Sequence, residues 1–148
     1  MSLSTRKVAL ESLKGQFEKA RNGRYFVRRG PINWASHKFT EANAFACAIL
    51  VSESTLFRNE GTNESFIRIF LVTRVEEAGG ELDDAVLAAM TDDAVEALQQ
   101  MGRQVDTLGD SATLAIDWDG ATVVEFLDAE TQKEASLQGV EIQIAITY

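Results

Sequence analysis

The chain has 148 residues, 45% of them hydrophobic and 25% charged, with a formal net charge of −9. That length suits one domain, 1–148, which can bury roughly 70% of its unfolded surface without covalent staples. The single cysteine, Cys47, excludes an internal disulfide, and no apolar run nears the roughly 20 residues that a membrane helix needs.

The charge is segregated. Residues 1–38 hold nine Lys/Arg and two Glu, a net of +7, whereas residues 39–148 hold five Lys/Arg and 21 Asp/Glu, a net of −16. Such asymmetry points to charge-guided association, with nucleic acid or with another copy of the chain. The opening stretch MSLSTRKVALESL lacks the continuous apolar core of a signal peptide, so the expected location is the cytoplasm.

In chain order, residues 4–21 read as a helix. Leu10, Leu13, Phe17 and Ala20 recur at helical spacing, Ser4 or Thr5 is placed to cap the start, and Gly23 to end it in a left-handed conformation. The segment RYFVRRG is extended and closes at the Gly30-Pro31 turn. NAFACAILV, residues 43–51, suits a strand buried on both faces, with Cys47 an inert thiol inside it. Residues 65–74 make a second strand, with Ile67, Ile69 and Leu71 on one face and Arg68 and Arg74 on the other. The polar LFRNEGTNE between them makes the pair a hairpin with a long tip.

After the linker EEAGG, residues 81–102 form a second helix with Leu82, Val86, Met90, Ala94, Leu98 and Met101 on one face. Thr91-Asp92-Asp93 resembles a second cap and allows a break there. Residues 112–118 and 121–127 read as strands joined by a tight turn at Asp119-Gly120. DAETQKEASLQ is polar, and the final GVEIQIAITY alternates cleanly, with Val140, Ile142, Ile144 and Ile146 facing in. The expected fold is α+β: a mostly antiparallel sheet with two main helices packed on one face.

No motif names a chemistry. Asp117-Trp118-Asp119-Gly120 lacks the later ligands of a calcium loop and reads as a turn. His37, the only histidine, has no nucleophile motif beside it, and Cys47 lies in an apolar strand. Gly79-Gly80 is surrounded by acidic residues that would repel a phosphate, so it reads as a linker. No catalytic residue, metal or cofactor is expected.

The arginine cluster in residues 21–30 remains. As an extended segment it sends Arg24, Phe26 and Arg28 one way and Tyr25, Val27 and Arg29 the other. Three readings fit: an edge strand guarded by charge, a nucleic-acid site with aromatic stacking, or a self-association surface. The strongly acidic remainder opposes phosphate binding, so duplex DNA is expected to bind negligibly.

The layout as a whole resembles the tail terminator proteins of long-tailed bacteriophages, the minor tail protein U type. The shared features are the N-terminal amphipathic helix, the aromatic segment RYFVRRGPINW, the hairpin of NAFACAILV and SFIRIFLVTR, the helix opening ELDDAVLAAM, and the closing strand ending Ile146-Thr147-Tyr148. The resemblance implies a structural role in the virion tail. It would be a ring of copies of the chain, six in number, that caps the tail tube and joins it to the head. The partners would be the tube protein and a head-completion protein, with no enzyme activity, specific nucleic acid or membrane. In that reading Arg24, Arg28 and Arg29 form the subunit interface, donating to carboxylates of the next subunit. Two alternatives stay open: a small nucleic-acid-binding regulator using the basic N-terminal segment, and an enzyme or small-ligand domain whose site joins residues distant in sequence.

Overall fold

The computed structural model describes residues 2–57, 63–74, 84–104, 115–124 and 137–147. They form helix α1 (Ser2–Lys19) with a tight turn, Ala20–Gly23, at its end, and then strands β1 (Tyr25–Arg28), β2 (Phe45–Phe57) and β3 (Asn63–Arg74). Helix α2 (Asp84–Gln104) follows, and strands β4 (Ala115–Val124) and β5 (Leu137–Thr147) complete the set. The sheet order is β1-β2-β3-β5-β4, antiparallel throughout except for the parallel pair β1–β2. This is the expected α+β arrangement.

Both helices lie on one face. Leu10, Leu13 and Phe17 of α1 and Leu87, Met90, Ala94, Ala97 and Leu98 of α2 share a core with Cys47, Ile49, Ile67, Ile69, Leu71, Val140, Ile142 and Ile144. The sheet residues are alternate positions on adjacent strands, and the register confirms it: Ile49 sits opposite Ile69, and Ile69 opposite Ile142. The alternation read in β3 and β5 therefore does what it implied, since a one-residue slip would turn the whole apolar set to the other face.

The parallel pairing of β1 with β2 requires the chain to cross over a face of the sheet. Residues 29–44 make that crossover without a helix. Asn33 organises its first turn, its carbonyl accepting from the His37 amide at 2.9 Å and its side chain accepting from the Ala35 amide at 3.2 Å. The Thr40 hydroxyl accepts from the Asn43 amide at 3.0 Å and closes the second turn. The crossover carries Ile32, Trp34 and Phe39 onto Ala46, Ala48 and Phe70, on the face away from the helices. This is why NAFACAILV is apolar at successive positions: Cys47 and Ile49 belong to the helix side, Ala46 and Ala48 to the crossover side.

Three local expectations are overturned. Asp119-Gly120 is not a hairpin turn: β4 runs through it and pairs with β5 on both sides, with a register irregularity between Trp118 and Ala121. A bulge uses the same turn-favouring residues without reversing the chain. Helix α2 is continuous through Thr91-Asp92-Asp93. The Thr91 hydroxyl donates to the Leu87 carbonyl one turn back, at 3.0 Å, so it bonds inside the helix instead of capping a new one. Helix α1 starts at Ser2, which places Ser4 and Thr5 within it and not at its cap.

The strands of the β2–β3 hairpin run further than expected, with Phe57 opposite Asn63, and β5 begins two residues earlier, at Leu137. Tip residues 58–62, linker residues 75–83 including Gly79-Gly80, segments 105–114 and 125–136, and Tyr148 lie outside the described residues. Among the described residues no helix is long and apolar enough to cross a membrane.

Candidate subunit interface

Strand β1 is an edge strand, bonded to β2 alone among the described strands. Its side chains alternate as an extended segment must. Tyr25 is buried and Val27 packs against the helix-side core, while Phe26, at 40% exposure, and Arg28 face outward.

What sets this edge is the turn before it. Arg21, Asn22 and Gly23 take positive φ values of 50°, 56° and 79°. Glycine adopts this region freely, but a side-chain-bearing residue there costs roughly 1–2 kcal/mol. The expected left-handed Gly23 is present, and two further residues join it. The turn reverses the chain from α1 into β1 and aims the Arg21 side chain across at α2.

There Arg21 Nε donates to Asp93 Oδ2 at 2.6 Å, and the Tyr25 hydroxyl donates to the same oxygen at 2.9 Å. Asp93 thus ties α2 to the turn and to the first residue of β1. Burial, reinforced by the Asp93 charge, pushes the Tyr25 hydroxyl well above its usual range, so it stays protonated and remains a donor. The Arg21 guanidinium also lies 5.1 Å over the Phe45 ring, and Arg24 approaches the same ring at 5.6 Å. Phe45 is the β2 residue paired with Tyr25, and their rings are 5.2 Å apart.

The three arginines singled out by sequence do not form one compact group. Arg29 donates to Glu11 of α1, a hydrogen bond that holds the Glu11 carboxyl below its usual value. Arg24 rests on Phe45 while remaining exposed, and Arg28 is exposed on the strand. Arg24 and Arg28 therefore offer charge outward, whereas Arg29 is spent largely on fastening the end of β1 to α1.

Two residues central to this region carried no signal of their pairing. Asp93 read as a helix cap, and Arg21 as the last turn of a helix. They are 72 positions apart, so only the fold could join them.

His37 lies on the opposite face, among aromatic rings. Its imidazole centroid is 5.2 Å from Phe26, 4.7 Å from Phe39 and 6.2 Å from Trp34. Cys47 is fully buried on the helix side, where burial raises its thiol pKa well above the usual value. The sheet separates the two, so they make no Cys-His pair. Among the described residues no three His, Cys, Asp or Glu side chains gather to hold a metal.

His37 Nε2 is occluded and has no hydrogen-bond partner among the described residues, and burial pulls the imidazole pKa below 6.5. An unfolded chain then takes up this proton at a higher pH than the folded one. Stability from this group is complete above about pH 6.5 and falls as pH drops toward the folded-state pKa. Urea titrations from pH 7.5 to 5 should show that decline in the wild type and a smaller one in His37→Phe. Equal slopes for the two proteins would show that His37 does not titrate with folding.

No protein-family model matches the chain, and no curated protein matches it in sequence.

Proposed function

We propose that this chain is a structural protein of a phage or prophage tail, of the terminator kind. Its copies form a closed ring, expected to hold six, that caps the tail tube and offers a joining surface to the head. The observation that carries the reading is the basic edge: the positive segment of an acidic chain folds into strand β1, with Arg24, Phe26 and Arg28 turned outward. A strand so placed is suited to meeting a carboxylate-bearing surface on a neighbour, because guanidinium groups bind carboxylates in a directed, often bidentate, fashion. The element order adds support through the resemblance in layout noted above.

A ring requires a head-to-tail contact between two different patches, so each patch can carry its own sign. A two-fold contact centred on β1 would set its arginines against themselves. The test is to image the chain by electron microscopy at high concentration and with tail tubes as template. Rings are expected from the wild type, and Arg24→Glu with Arg28→Glu should abolish them while circular dichroism stays unchanged, since exposed charge substitutions usually cost under about 0.5 kcal/mol. A wild type that gives only two-fold dimers, even with tubes present, would remove this reading.

A further inference from the structure

We infer that neighbouring copies meet edge to edge, β1 of one against β4 of the next, in antiparallel register; the inference rests on the ring reading above. The sheet order places β1 and β4 at its two ends, and among the described residues no strand lies beyond either. Their charges are opposite. Strand β1 carries Arg28 and is preceded by Arg24, the two arginines that face outward, with no acidic residue between positions 24 and 28. Strand β4, Ala115–Val124, contains Asp117 and Asp119 and no lysine or arginine.

The strand directions complete the argument. β1 runs parallel to β2, and each of the next three pairs reverses direction, so β4 runs opposite to β1. A second copy placed beside the first in the same orientation, helices on the same side, therefore brings β4 antiparallel to β1. No rotation of the sheet face is needed, and the contact can repeat from copy to copy.

The charges also determine which edges avoid each other. Charges on edge strands serve to block unwanted pairing. Two β1 edges would bring like positive charge together, and two β4 edges like negative charge, whereas the sequences of β1 and β4 are complementary in charge. The short β1 and the irregularity between Trp118 and Ala121 limit the length of regular pairing, so charge supplies much of the selectivity.

A charge-swap experiment tests this. The Arg24→Glu, Arg28→Glu variant has two acidic edges, and the Asp117→Lys, Asp119→Lys variant two basic ones. Each alone should need at least about tenfold more protein to assemble than the wild type. An equimolar mixture should recover rings, because alternating copies then meet with opposite charges at every contact, and a ring of six accommodates alternation. Circular dichroism checks folding. If the lysine variant misfolds, Asp117→Asn with Asp119→Asn is used, with weaker assembly expected. Hydrogen exchange on wild-type rings provides a second readout, with protection gained in residues 25–28 and 115–124. Assembly unchanged in the β4 variant, a mixture of folded variants that stays dispersed, or rings with no protection gained at either strand would overturn the pairing while leaving the ring standing. A wild type that forms no ring under any condition would overturn the ring reading itself, and this contact with it.

Discussion

Phe17→Ala should cost about 3–5 kcal/mol, the range for emptying a fully buried phenylalanine site. Phe17 has 0% exposure and belongs to the core that joins α1, α2 and the sheet. Its ring also meets Tyr25 edge-on, with centroids 6.4 Å apart. The cavity would therefore open beside the residue that begins β1, and the loss should reach both the helix and the edge strand. Urea unfolding followed by circular dichroism gives the magnitude. Phe17→Leu, which refills most of the volume, should recover more than half of the loss. A Phe17→Ala penalty under about 1 kcal/mol would mean that α1 is not anchored by this side chain.

Asp93→Ala should cost about 2–3 kcal/mol, less than a wholly buried ion pair because Arg21 keeps some solvent contact. The Arg21 and Asp93 side chains are 30% and 15% exposed. Removing the carboxylate strips one acceptor from two donors at once. It also removes the contact that offsets the left-handed backbone at Arg21. Tyr25→Phe, which deletes one of the two hydrogen bonds, should cost about 1 kcal/mol alone and clearly less in the Asp93→Ala background. Additive losses in the double variant would show that the hydroxyl and the carboxylate act independently. Because Asp93 holds the start of β1, the alanine variant should also assemble less readily, which links the stability of this corner to the proposed ring.

Much of the architecture was legible from local pattern. Leu10, Leu13 and Phe17 are buried at their helical spacing, and Ile67, Ile69 and Leu71 face the core opposite Arg68 and Arg74 as alternation required. Such patterns are visible because the period of a buried face is a property of neighbouring residues. Arg68 shows where legibility stops. Its outward direction followed from alternation, but its 2.5 Å hydrogen bond to Glu141 and its place over Phe70 followed only once β5 lay beside β3.

Turn-forming residues mark the other boundary. Asp119-Gly120 favours a turn or a bulge alike, and pairing with β5 decided for the bulge. Thr91-Asp92-Asp93 has the composition of a cap, but Thr91 bonded back within α2 and Asp93 was drawn to Arg21 and Tyr25. In both cases the local preferences differ by little, and tertiary contacts of larger size selected among them.

By itself, then, the sequence determined the α+β class, the helix and strand faces that form the core, the extended course of residues 25–28, and the gathering of positive charge near the N-terminus. Those properties depend on local periodicity and on covalent sequence. Only the tertiary structure placed β1 at an edge, set it parallel to β2, put β4 at the far side, and divided the arginines into Arg29 held by Glu11 and Arg24 and Arg28 facing outward. Each of those outcomes turns on partners distant in the chain, whose meeting is decided by the packing of the whole sheet and not by any short stretch of residues.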